Sequence, residues 1–325
     1  MHIKAATLDD LLRGVLGKLL TSRNRIKPRR GPASELTGVL LQLTNPRARL
    51  SRTETKGRLF SSLGELCWYL AKSAELRFIT YYLPQYSENS DNGRTVHGGY
   101  GPRLFNMRGH DQVANVTALL RRHPDSRRAV IQLFDARDIA REHADVPCTC
   151  TLQFLVRAGR LEMFISMRSN DAFIGLPHDV FAFTMFQEII ARSLSIEPGT
   201  YKHFVGSLHL YDTHRTLARR YLSEGWQPTI AMPPMPGADP WRSIRMVLKA
   251  ERVLRDGGAF DFSVLRLHEY WQDLVRLLQV YRYFRDRQPR EIGRLRSRMS
   301  TTIYDPYIAA KQLAALRRIE QSRQR

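Results

Sequence analysis

Apolar residues fall at Leu8, Leu11, Leu12, Val15, Leu16, Leu19 and Leu20, the spacing of one helical face over residues 7–20. A polar basic stretch follows, TSRNRIKPRRGPAS, and Pro28, Gly31 and Pro32 mark it as a loop. ELTGVLLQLT then predicts a strand, and SSLGELCWYLAKS at 61–73 a largely buried helix. Residues 84–103 are rich in Asn, Gly, Ser and Pro, which predicts a long loop with Tyr86 and Tyr100 embedded in it. VANVTALLRRHPD reads as a second helix closed by its Pro-Asp turn. RRAVIQLFDA, CTCTLQFLVR and RLEMFISMRS have the alternating, β-branched character of strands, with a tight connection at 158–160 between the last two. HDVFAFTMFQEIIARSLSI is the longest apolar segment and predicts a central helix with Asp179 near its start; SIEPGTYKHFVGSLHLYDTH predicts a turn and a strand.

Beyond the Pro-rich linker AMPPMPGADP at 231–240 the pattern changes to three basic amphipathic helices, over 241–256, 262–286 and 303–322. The order of elements predicts an α+β fold. A domain of residues 1–230 holds one mixed sheet and its helices, and a helical C-terminal extension of 231–325 packs on it. No internal repeat or low-complexity tract interrupts the chain.

Composition narrows the function classes. No run of 18 apolar residues occurs, so a membrane-spanning helix is not expected. MHIKAATLDDLLRGVLGKLL carries acids early and reads as an amphipathic helix rather than a signal peptide. Three cysteines, Cys67, Cys148 and Cys150, make no disulfide framework and point to a reducing cytoplasm. A net charge of +20 suits a nucleic acid or a phosphorylated small molecule. The arginines are spread along the chain with no Lys/Arg run of five or more, so a basic surface is favoured over a nucleic-acid partner. No metal site is expected.

Seven separated motifs stand in order: RRG at 29–31, GEL at 64–66, YG at 100–101, PDSRR at 124–128, VPC at 146–148, MRSNDAFIGLPHD at 167–179 and GSLHLYDTH at 206–214. Together they resemble the thymidylate synthase family over roughly residues 7–225. The resemblance implies a thymidylate synthase-like mixed sheet and a homodimer. It also implies one-carbon transfer from 5,10-methylene-tetrahydrofolate to C5 of a pyrimidine nucleoside monophosphate. That carbon is too weak a nucleophile to attack the donor unaided, and a thiolate added to C6 activates it. Such a thiolate needs a lowered pKa in an electropositive, partly open site. Cys148 follows Pro147 at the family's nucleophile position; Cys150, two residues on, shares its face if the strand is regular. Cys67 reads as a core residue.

The resemblance assigns the other roles residue by residue. Arg168 and Ser169 match the phosphate-binding pair, and Arg127 and Arg128 match arginines sent across the dimer interface into the partner's site. Arg30 resembles the fourth phosphate arginine, with Arg29 as a rival. Arginine suits this work because it makes planar, bidentate contacts. His209 and Tyr211 match the pair on the sugar hydroxyl, although Ser207 replaces an aspartate nearby. Glu65 matches the glutamate that organises water beside the base, Tyr100 the tyrosine that assists loss of the C5 proton, and Asp171 the aspartate that contacts the pterin.

Three departures bear on substrate and product. Family members that act on uracil end their RSxDxxLGLPFN motif in an asparagine facing the base, and here that position is Asp179. A protonated carboxyl can accept from the cytosine amine and donate to N3. The tryptophan-containing folate wall is missing, with Tyr81, Tyr82 and Tyr86 the nearest aromatics. The chain ends KQLAALRRIEQSRQR, polar and helical, where the synthases have a short apolar tail that excludes water. A wetter site favours water over hydride as the group captured at the new carbon. The reading is therefore C5 hydroxymethylation of a cytidylate, dCMP preferred and CMP allowed, as in the deoxycytidylate hydroxymethylase branch. An atypical thymidylate synthase methylating dUMP is the enzyme alternative, and a silent nucleotide- or RNA-binding regulator the alternative of another class.

Overall fold

A computed structural model describes residues 1–237, 239–258 and 266–323. The alternating segments pair into one seven-stranded sheet in the order β1-β3-β7-β6-β5-β4, with β2 paired to β3 off this path. The strands are β1 (His2–Ala5), β2 (Arg25–Ile26), β3 (Ala33–Leu43), β4 (Val130–Gln132), β5 (Thr149–Arg157), β6 (Arg160–Asp171) and β7 (Glu197–Tyr211). β1 with β3 and β6 with β7 run parallel and the other pairs antiparallel, which makes the sheet mixed. The expected tight connection between β5 and β6 is a two-residue hairpin. Ala158 and Gly159 both have positive φ, 48° and 69°, the backbone that matches the twist of the strands it joins.

Period-two burial sets which face of the sheet meets the core. Leu161, Met163, Ile165 and Met167 of β6 are buried, and so are Tyr201, His203 and Val205 of β7. Helix α6 (Gly175–Ser193) covers them. It is buried nearly all round because α2 (Leu59–Leu70) and the C-terminal helices enclose its other side. The intervening residues Phe164, Ser166, Lys202 and Phe204 face away from this core, and Phe204 stays 44% exposed.

The C-terminal helices α8 (Pro240–Arg255), α9 (Glu269–Arg285), α10 (Pro289–Arg296) and α11 (Asp305–Arg323) pack onto the sheet-bearing part through aromatic contacts. The Tyr82 hydroxyl, on α3 (Leu76–Tyr82), donates to Glu251 at 2.9 Å, Tyr281 donates to the Tyr81 carbonyl at 3.0 Å, and the Tyr82 and Tyr281 rings stack at 5.1 Å. Gly64 on α2 makes room for this layer, since a Cβ there would stand 2.1 Å from the Tyr82 ring. Arg49 and Glu188, both without solvent exposure, form an ion pair, and Glu188 also accepts from the backbone N–H of Met235 at 2.9 Å.

Several elements differ from the sequence expectation. Residues 84–103 are not one loop: Pro84–Asn89 form a 3-10 turn, and Tyr100 opens α4 (Tyr100–Asn106), capped by an extended Gly99. The glycines and prolines that suggested a loop punctuate two short helices instead. The expected strand RRAVIQLFDA pairs only over β4. Helix α9 begins at Glu269 rather than at 262; residues 262–265 lie outside the described ones. β1, α3 and α10 were not expected, being too short to show a period. Helices α1 (Leu8–Thr21), α5 (Gln112–Arg122) and α7 (Arg215–Ser223) complete the described set. Among the described residues no helix is long and apolar enough to cross a membrane.

Candidate active site

A cavity of about 330 Å³ opens between α2, the segment 83–100, the segment 145–148, the end of β6 and the start of α6. Cys148 lines it, one residue before β5 begins, while Cys67 is buried in the core. Arg168 fixes the segment that carries Cys148. Its backbone N–H donates to the Cys148 carbonyl at 2.9 Å, and its guanidinium donates to the carbonyls of Pro147 and Val146, each at 2.9 Å. Cys150 does not line the cavity. The register slips between Thr149 and Thr151, so the strand is irregular where the two cysteines were expected to share a face.

The Cys148 thiol is not lowered as expected; it is pushed up to about 11. Burial is the main cause, Asp145 and Asp179 add to it, and Arg168 and Arg30 oppose it. The Tyr100 hydroxyl accepts from the backbone N–H and the side-chain hydroxyl of Thr149 at 3.1 and 3.0 Å, which leaves its own proton for a group in the cavity. Glu65, buried on α2, accepts from the Tyr86 hydroxyl at 2.7 Å.

Asp179 borders the cavity on the first turns of α6, yet protein encloses it so closely that its charge is poorly solvated. Burial, then the nearby charge of Glu65, hold its carboxyl well above the usual carboxylate range. The Asn170 amide donates to Asp179 Oδ2 at 2.7 Å, so Oδ2 is engaged as an acceptor. Asp171 accepts from the backbone N–H groups of Phe173 and Ile174 at 2.8 and 3.1 Å through Oδ1 only. Lys56 is buried beneath this turn, donating to the Phe173 carbonyl, and burial lowers it to about 6.

The remaining expected residues separate into three groups. Arg30 and Ser169 line the cavity, and Arg30 donates to Asn89 at 2.8 Å; its rival Arg29 turns away to the Ala144 carbonyl. His209 and Tyr211, ring centroids 4.9 Å apart, do not line it but share one face of β7, where His209 lies in register with Asp171. Next to them, Ser207 donates to Glu35 of β3 at 2.5 Å, so a carboxylate stands beside the position where an aspartate was missing. Arg127 and Arg128 are exposed, outside the cavity of their own subunit and without an ion pair among the described residues. Tyr81 and Tyr82 face the C-terminal helices, and the aromatic side chains lining the cavity include Trp68, Tyr69, Tyr86 and Tyr100.

Among the cavity residues that escaped the sequence reading are the titratable Glu88, Asp145 and His178. His178 donates from Nδ1 to the Ile174 carbonyl at 3.0 Å and pairs through Nε2 with Ser61 at 3.0 Å. His178 stands within a motif already noted, one residue before Asp179, and Asp145 directly precedes another, three residues before Cys148; the motifs assign neither any chemistry.

A family model described as thymidylate synthase matches residues 40–244 of the chain. A deoxyuridylate hydroxymethyltransferase of Pseudomonas phage M6 is 31% identical over 156 residues, 47% of this chain and 44% of that relative. The match therefore spans less than half of that relative's length.

Proposed function

Because the chain belongs to the thymidylate synthase family, we propose that it transfers a one-carbon unit from 5,10-methylene-tetrahydrofolate to C5 of a pyrimidine nucleoside monophosphate and captures water there. The product is the 5-hydroxymethyl nucleotide. The substrate is a cytidylate, with dCMP preferred over CMP, and the observation that carries this choice is Asp179 in the cavity wall, its carboxyl held above the usual carboxylate range by burial and then by Glu65. Its Oδ1–H donates to cytosine N3 while Oδ2, oriented by Asn170, accepts from the amine. A second reading, dUMP as the substrate, is favoured by the phage relative, a deoxyuridylate hydroxymethyltransferase.

In this account Cys148 adds to C6, Glu65 with Tyr86 organises water at the base, and Tyr100 assists departure of the C5 proton. Arg30, Arg168 and Ser169 hold the phosphate with Arg127 and Arg128 of the second subunit, and His209 and Tyr211 hold the sugar. Trp68 and Tyr86 offer apolar ring faces to the pterin, and Asp171 retains a free oxygen toward it. The sheet face bearing Phe164 and Phe204, uncovered by any described helix, supports a homodimer.

Asp179→Asn tests the base assignment. An amide restores the uracil pattern, and a mismatched buried polar pair costs about 1–3 kcal/mol, so preference for dCMP over dUMP falls at least about tenfold in relative kcat/KM. A ratio within about twofold of wild type contradicts base reading by Asp179.

A further inference from the structure

Five acidic side chains line the cavity: Glu65, Glu88, Asp145, Asp171 and Asp179. Glu88 is exposed at the rim. Tyr86 holds Glu65, two backbone N–H groups hold Asp171, and Asn170 holds Asp179. Asp145 differs from these three. No described residue donates a hydrogen bond to its side chain, and Arg30, Arg168, Arg103 and His97 act on it through charge alone. The fold also keeps space for it. A Cβ at Gly98 would stand 2.2 Å from Asp145 Oδ2 and 3.2 Å from the backbone nitrogen of Pro147, so a carboxylate fits here only because residue 98 is glycine. The same short segment carries Cys148, and the charge of Asp145 is felt at the thiol.

Water capture needs a base placed at the exocyclic methylene. Once the folate has left, the nucleotide carries an exocyclic methylene at C5 and Cys148 at C6. Water forms a C–O bond to that methylene, the π electrons move into the ring, and one proton of the water must go to a base. Collapse of the ring electrons then expels the Cys148 thiolate from C6 and restores the C5–C6 double bond. Neutral water is a poor nucleophile, and a positioned base contributes about 10²–10⁴-fold. In the reading above Asp179 is committed to the pyrimidine, and Glu65 accepts from Tyr86 through Oε1.

We propose that Asp145 is the general base that takes the proton from the water attacking the exocyclic methylene. This assignment rests on the hydroxymethylase reading above. Burial raises Asp145, which strengthens it as a base, while the arginines beside it oppose the rise and favour the ionised form.

The test follows one turnover of C5-tritiated dCMP with methylene-tetrahydrofolate and measures tritium release and hydroxymethyl product in the same reaction. Asp145→Asn keeps the shape that Gly98 accommodates; Asp145→Ala opens room for a small carboxylate. In both variants tritium release stays within about threefold of wild type while product formation falls at least about a hundredfold. A nucleotide adduct carrying the extra methylene accumulates on Cys148 in the intact-protein mass. Added formate restores product formation to Asp145→Ala and leaves the wild type unchanged. A parallel fall of tritium release and product overturns the proposal, because Asp145 then acts before the methylene forms. Unchanged product, failure of formate to restore it, or loss of dCMP binding in both variants overturns it as well. Wild-type enzyme that yields no hydroxymethyl nucleotide contradicts the hydroxymethylase reading itself, an outcome separate from any property of the variants.

Discussion

Cys148→Ser lowers C5 proton exchange and alkylation by at least about a thousandfold while nucleotide affinity stays within a few fold. On the proposed roles, ground-state binding comes from phosphate, sugar and base contacts, whereas the sulfur acts only in the chemical steps. The serine hydroxyl is far less acidic than the thiol it replaces, and nothing in the cavity compensates. Burial and the neighbouring carboxyls already disfavour the anion at residue 148. Cys150→Ser keeps substantial activity, since Cys150 stands outside the cavity beyond the register slip. Tritium release from C5 and equilibrium binding of dCMP check both statements. Activity retained in Cys148→Ser and lost in Cys150→Ser would assign the wrong sulfur.

On the proposed sharing of arginines between subunits, Arg127→Ala with Arg128→Ala removes two charge-assisted contacts to the phosphate, each worth about 1.5–3 kcal/mol. Activity of the homodimer falls about a hundredfold or more. Mixing this variant with Cys148→Ser brings activity back, because one of the two sites in the mixed dimer then has its own cysteine and the borrowed arginines intact. The geometry that motivates the experiment is simple: both arginines are exposed and neither lines the cavity of its own chain. No recovery, with subunit exchange demonstrated by mass, would place them away from catalysis or within their own subunit's site.

The long elements were legible because period and length agree in them: α1, α2 and α6, and strands β3 and β5 to β7, stand where the apolar spacing puts them. Short elements were not, since α3, α10 and β1 are too brief for a period to emerge and are held by neighbours remote in sequence. Tyr100 illustrates the same limit. Its glycine and proline neighbours read as a loop, yet they cap and open a helix. Of the expected residues, Cys148, Glu65, Tyr100, Asp171, Asp179, Arg30 and Ser169 line one cavity, and Arg168 does not. What the motifs could not carry was electrostatic. A lowered thiol was expected from the surrounding arginines, but enclosure by protein outweighs them. Asp145 was hidden for a related reason, because only the space left by Gly98, 47 residues away in sequence, places its carboxylate in the wall.

The central claim is that water, added to the exocyclic methylene on C5 of a cytidylate, completes the reaction. Mass spectrometry of the products from CMP, dCMP, UMP and dUMP, each with methylene-tetrahydrofolate in water enriched in oxygen-18, tests it most directly. The account predicts a 5-hydroxymethyl nucleotide carrying the heavy oxygen, formed fastest from dCMP. A methylated product, or turnover confined to dUMP, would contradict it.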